Sequence, residues 1–134
     1  MRFVSPLKNT VIGRELARNV IDLLILSTGS LSASHIVEVI RDAPRSLEQI
    51  GNPEWQKHSV IPTLFKMARE QVGNGPMAHD LELVEGYFSQ SFPNLAEKTR
   101  SVVETSLLSM LNLFVRGKLH RLFKEYAHGW SVKP

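Results

Sequence analysis

TVIGRELARNVIDLLILSTG, residues 10–29, decides the fold class. Ile12, Leu16, Val20, Leu23, Leu24 and Ser27 recur every three or four positions, which puts them on one stripe of an α-helix. Gly29 stands where the periodicity ends and suits a helix C-terminus. The spacing predicts a helix from about Thr10 to Thr28, with Gly13 weakening only its first turn. An apolar stripe of that length has to be buried, so the rest of the chain must supply elements to cover it.

Downstream punctuation divides the chain into more helices. Ser32 can cap a second one, with Ile36, Val37 and Ile40 as its buried stripe, and Ala43-Pro44 ends it. Ser46-Leu47-Glu48-Gln49 reads as a capping box that opens a short third turn. Asn52-Pro53 starts a fourth helix, whose apolar side is Trp55, Ile61, Leu64, Phe65 and Ala68. Pro62 lies inside it and predicts a kink or break near Ser59. Gly73-Asn74-Gly75-Pro76 is a loop. A fifth helix is expected from about Ala78 to Ser89, with Leu81, Val84, Tyr87 and Phe88 inward.

A sixth helix is expected to open at Asn94, with Glu97 completing a capping box. Leu95, Thr99, Val103, Leu107, Met110, Leu111 and Phe114 form its stripe, and Gly117 interrupts it. A last turn, from Lys118 to Tyr126, carries Leu119, Leu122 and Phe123. No alternating run is bounded by a hairpin turn. The expectation is an all-α protein: an irregular bundle of about six helices without a sheet. It divides into an N-terminal extension (1–9), a helical domain (10–126) and a C-terminal tail (127–134).

The chain has 134 residues, 43% apolar and 22% charged, enough for one domain with a real core. It has no cysteine, which excludes disulfides, thiolate metal sites and a cysteine nucleophile. No apolar run approaches the roughly 20 residues of a membrane span. The expected location is the cytoplasm. The net charge of +3 is unevenly placed. From Arg116 onward stand Arg116, Lys118, Arg121, Lys124 and Lys133 against Glu125, while the first 115 residues are close to neutral. Such a basic segment fits either an acidic partner or phosphates, or simply a solvated helix end.

Catalytic chemistry is hard to place in this sequence. There is no Gly-Lys-Ser/Thr phosphate loop and no Gly-x-Ser-x-Gly elbow. The five histidines, at 35, 58, 79, 120 and 128, include no pair at metallopeptidase spacing. His79-Asp80 with Glu82 and Glu85 is the tightest cluster and reads as a polar helix start. No catalytic residue, metal or cofactor is assigned. Trp55 reads as an aromatic packing a helix start. Trp130, in the tail HGWSVKP, is either a frayed terminal residue or a partner contact. For nucleic acid the candidate surface is RGKLHRLFK, 116–124, in which Arg116, Lys118, Arg121 and Lys124 interleave with Phe123. Its Leu119, Leu122 and Phe123 equally suit a core-facing stripe.

Three blocks carry a resemblance. They are RELARNVIDLLILSTGSLSASHIVEVIRDAP (14–44), PEWQKHSVIPTLFKMA (53–68) and FPNLAEKTRSVVETSLLSMLNLFVRGKLHRLF (92–123). In order and spacing they resemble the helical insertion of the TraG/TraD-type conjugative coupling ATPases of type IV secretion systems. The resemblance implies an all-helical subdomain of a hexameric inner-membrane motor, facing the cytosol and engaging substrates. The partners it implies are single-stranded DNA, a relaxase or other transfer protein, or a full-length coupling ATPase. Association with the inner membrane would then be peripheral, through a partner. The phosphate loop expected before residue 14 is absent, and KEYAHGWSVKP departs from the family after Phe123. No ATPase residue carries over, so the expectation is a non-enzymatic binding domain. It could be free-standing, a gene remnant or an excised domain. The alternative is a protein–protein adaptor or homo-oligomeric domain with no nucleic-acid role.

Overall fold

The computed structural model describes residues 6–113. They form seven α-helices and one π-helical turn, with no strand among the described residues. The helices are α1 (Pro6–Thr28), α2 (Ala33–Asp42), α3 (Leu47–Ile50), α4 (Pro53–His58), α5 (Val60–Val72), α6 (Ala78–Gly86) and α7 (Glu97–Leu113). The π-turn, Tyr87–Ser91, continues α6. The all-α class expected from periodicity is the class observed. Among the described residues no single helix is long and apolar enough to cross a membrane.

α1 is the axis of the fold. It packs most extensively on α5, and also on α2, α6 and α7. Leu16, Val20, Leu23, Leu24 and Ser27 are buried and Ile12 is partly so, as the spacing requires. Each fully buried aliphatic side chain here contributes roughly 1.5–3 kcal/mol relative to exposure. Ser27 is satisfied within its own helix, donating to the Leu23 carbonyl at 2.6 Å. α1 begins at Pro6, ahead of the expected Thr10, so Gly13 lies within the helix. Gly29 closes α1 with φ 76°, a left-handed conformation that glycine adopts without strain.

The caps fall mostly where the sequence puts them. Ser32 accepts from the His35 amide, Ser46 from Gln49 and Asn52 from Glu54. The break at Ser59 has a direct cause. In a continuous helix the Pro62 ring would meet the carbonyl of residue 58, so the chain turns extended at Ser59 and starts again. Ser59 Oγ then accepts from the Ile61 amide and donates to the Asp42 carbonyl at 3.2 Å. Asp42 Oδ2 accepts from the Val60 amide at 3.0 Å, which ties the end of α2 to the start of α5.

Three expectations need correction. The buried pair on α2 is Val39–Ile40, with Ile36 and Val37 only partly covered. The fifth helix does not run regularly to Ser89. At Tyr87 it widens into the π-turn, closed by the Phe92 amide on the Tyr87 carbonyl at 2.9 Å. The wider spacing lets Tyr87, Phe88 and Phe92 all point inward, with Tyr87 and Phe88 edge-to-face at 5.1 Å. Finally, α7 starts at Glu97, and Asn94 does not cap it. The Asn94 amide bonds the Gln90 carbonyl instead, within the turn that leaves the π segment.

Candidate protein-binding face

α7 is held in place by charge as well as by packing. Val103 is buried, and Leu107, Leu108 and Leu111 pack partly against the core. Immediately after Val103, Glu104 is only 4% exposed and receives both guanidinium arms of Arg45 at 2.8 Å. Arg100, 7% exposed, approaches the same carboxylate at 3.9 Å and donates to the Leu95 carbonyl at 3.2 Å. Burial pushes the Glu104 carboxyl above its ordinary range; Arg45 and Arg100 pull the other way and do not cancel it. Fixing a long loop residue to α7 through two parallel hydrogen bonds sets the roll of the helix.

With the inner side fixed, the outer side of α7 is defined. From Thr105 to Leu113 no residue is charged. Met110, expected in the buried stripe, is 64% exposed, and Val102 is 44% exposed. The real stripe runs through Arg100, Val103, Glu104, Leu107 and Leu108, which turns Met110 away from the core. A solvated helix normally carries charges on its outer face, so their absence here was the sequence signal for this surface.

Two open grooves flank α7. On one side Val102, Ser106 and Met110 face Thr10, Gly13, Arg14 and Ala17 of α1 across a space of about 390 Å³. Its walls are mostly apolar, and Gly13, which has no side chain, and the single methyl of Ala17 leave it open. On the other side Thr105, Leu108 and Ser109 face Ser34, Val37, Glu38 and Arg41 of α2 across about 870 Å³. A groove beside an uncharged helical ridge is the shape that receives an amphipathic helix.

Elsewhere, Trp55 packs partly on the core, as a helix-start aromatic should. With Phe65 and Phe88 it walls a cavity of about 280 Å³, rimmed by the Arg69–Glu85 ion pair at 3.1 Å. His79 meets Glu82 at 3.8 Å on the exposed side of α6, and His58 meets Glu54 at 3.5 Å on α4. Among the described residues no three His, Asp or Glu side chains come close enough to hold a metal ion.

The sequence-predicted binding residues Arg116, Lys118, Arg121 and Lys124, and the partner contact Trp130, lie outside the described residues, as does the expected turn from Lys118 to Tyr126. The three resembling blocks meet around α1: the first forms α1 and α2, the second α4 and most of α5, and the described part of the third contributes α7. No known protein family, curated protein or solved structure matches the chain.

Proposed function

We propose that this chain is a non-enzymatic helical binding domain that docks a helix of another protein along the α1–α7 seam. The observation that carries this reading is the outer face of α7 from Ser101 to Asn112, which exposes no charged side chain, with Val102 and Met110 exposed beside a mostly apolar groove. The resemblance to the helical subdomain of conjugative coupling ATPases supplies the partner class: a relaxase, another transfer protein, or the full-length ATPase. The setting would be the cytoplasmic side of the inner membrane, reached through that partner. The basic segment Arg116–Lys124 favours a second role, contact with single-stranded DNA, which would deliver nucleic acid to the same complex.

One experiment addresses both roles. Binding of the full chain to purified relaxase and to purified coupling ATPase is measured, beside its own mass by light scattering. Val102→Glu with Met110→Glu, both exposed positions, should leave the helical spectrum intact and weaken partner binding by about tenfold or more. If the native chain binds neither protein and remains a monomer, the reading fails. If it self-associates with the same sensitivity to the two substitutions, the adaptor or homo-oligomer alternative takes its place. For DNA, the logarithm of affinity should fall with the logarithm of salt by about 0.7 per phosphate contact. Neutralising Arg116, Lys118, Arg121 and Lys124 should flatten that slope; an unchanged slope removes the DNA role.

A further inference from the structure

The groove between α2 and α7, on the other side of α7 from the seam, has apolar walls that are only half covered. Val37, Leu108 and Leu111 line it and are partly buried, and Glu38, Arg41 and Asp42 stand along its α2 wall. Its α7 wall runs from Thr105 to Asn112, and α7 itself ends one residue later at Leu113. The chain therefore leaves the described helices beside this groove, with residues 114–134 still to follow.

The sequence that follows matches the groove in pattern, length and charge. Leu119, Leu122, Phe123 and Tyr126 fall on one stripe at helical spacing. Gly117 precedes them, where a chain returning along α7 would have to reverse. Nine helical residues, 118–126, would span about 13 Å at 1.5 Å per residue. By the same measure the α7 wall from Thr105 to Asn112 spans about 12 Å and the α2 wall from Ala33 to Asp42 about 15 Å. Charge separates this groove from the seam. The segment's Arg116, Lys118, Arg121 and Lys124 are opposed only by Glu125. The seam's one charged lining residue is Arg14, which would repel them. In the α2–α7 groove Glu38 and Asp42 outnumber Arg41, and Glu38 has no ion pair among the described residues. A connection as short as 114–117 also gives the segment an effective concentration of about millimolar, which a free partner would have to exceed.

We propose that residues 118–126 of this chain dock in the α2–α7 groove, with Leu119, Leu122, Phe123 and Tyr126 against Val37, Leu108 and Leu111. The docked segment leaves Val102 and Met110 open, so the proposal does not rest on partner binding at the seam. The chain has no cysteine, so engineered pairs report the contact without background. Thr105 and Ser106 are adjacent, exposed positions of α7 that line the α2 groove and the seam respectively. In the full chain, Tyr126→Cys or Ala127→Cys is combined with Thr105→Cys and, separately, with Ser106→Cys. Disulfide formation in oxidised glutathione is followed on the monomer by mass spectrometry. A disulfide needs Cβ atoms about 4 Å apart, whereas the two α7 positions are nearly equivalent in distance along the chain. Docking in the groove predicts reaction with Thr105→Cys about tenfold or more faster than with Ser106→Cys. Adding Leu122→Glu with Phe123→Glu should lower the Thr105→Cys rate to the Ser106→Cys rate, while circular dichroism shows the bundle still folded. Equal rates at the two positions, no disulfide at either, or faster reaction with Ser106→Cys would each overturn the proposal. So would a Thr105→Cys preference that survives Leu122→Glu with Phe123→Glu, or cross-links formed only between chains, which would give the groove to a second copy.

Discussion

Glu104 sits between Arg45 and Arg100 on the buried side of α7, and the balance of forces on it has a testable sign. Because its carboxyl is raised above the ordinary value of 4.5, the folded chain holds that proton to higher pH than the unfolded chain does. The stability this confers is fully present below the ordinary carboxylate value and is lost as pH rises through the folded one. Ionised Glu104 is therefore a cost that Arg45 and Arg100 offset only in part. Glu104→Gln, which keeps the shape and one acceptor, should be no less stable than the native chain at neutral pH. The native chain should converge on that variant as pH falls toward the ordinary carboxylate range, read by urea denaturation at each pH. Glu104→Leu is different: it removes the carboxylate that pairs with Arg45 and leaves the buried Arg100 with only the Leu95 carbonyl, and it should cost about 3 kcal/mol. A large loss in Glu104→Gln at neutral pH, growing on alkalinisation, would show that the ion pair dominates burial. None of this was legible in the sequence. Arg45 and Glu104 are separated by 59 positions, and only the folded chain brings them together.

At the scale of elements, the join between α4 and α5 shows what local sequence can and cannot specify. Ser59 ends one helix and caps the next, with its hydroxyl shared between the Ile61 amide and the Asp42 carbonyl. Ser59→Ala should destabilise the fold by about 1–2 kcal/mol, at the upper end for a cap because a tertiary hydrogen bond goes with it. Chemical denaturation reads this directly, and a loss of only a few tenths would mean that Pro62 alone holds the break. The break was legible because proline geometry acts within one turn. The caps at Ser32, Ser46 and Asn52 were legible for the same reason: donor and acceptor lie within three residues. The π-turn was not, because Tyr87, Phe88 and Phe92 are drawn inward by packing, including Phe65 at 6.1 Å from Phe88. The start of α7 misled for a related reason. Asn94 and Glu97 have capping-box spacing, yet the turn leaving the π segment takes the Asn94 amide first. The seam was half legible: Val103 and Leu107 were placed correctly, but Met110 was assigned inward by a stripe that ignored the buried charges at Arg100 and Glu104.

Across the whole molecule, burial is unevenly shared, and that predicts the order in which parts open. α1 lends its buried stripe to four other helices, whereas α3 and α4 have no fully buried residue. Those two short helices touch each other, and α3 touches the π-turn; capping bonds and the partly buried Trp55 ring hold them. Few buried contacts and many exposed backbone hydrogen bonds mark a segment that opens below the global unfolding free energy. In native-state hydrogen exchange, residues 47–58 should lose protection first, while amides of α1 from Leu16 to Ser27 exchange only through global unfolding. Leu23→Ala, at a position with no exposure, should lower the protection of α1 and α5 by about 2–5 kcal/mol. It should leave exchange in 47–58 unchanged, because that opening does not pass through loss of the core. Equal protection in both regions, falling together in the variant, would instead make the bundle one cooperative unit. The distinction bears on access. The pocket walled by Trp55, Phe65 and Phe88 has Trp55 and Gln56 of α4 as one wall, so local opening of 47–58 removes that wall while α1 stays folded and the α1–α7 seam stays in place.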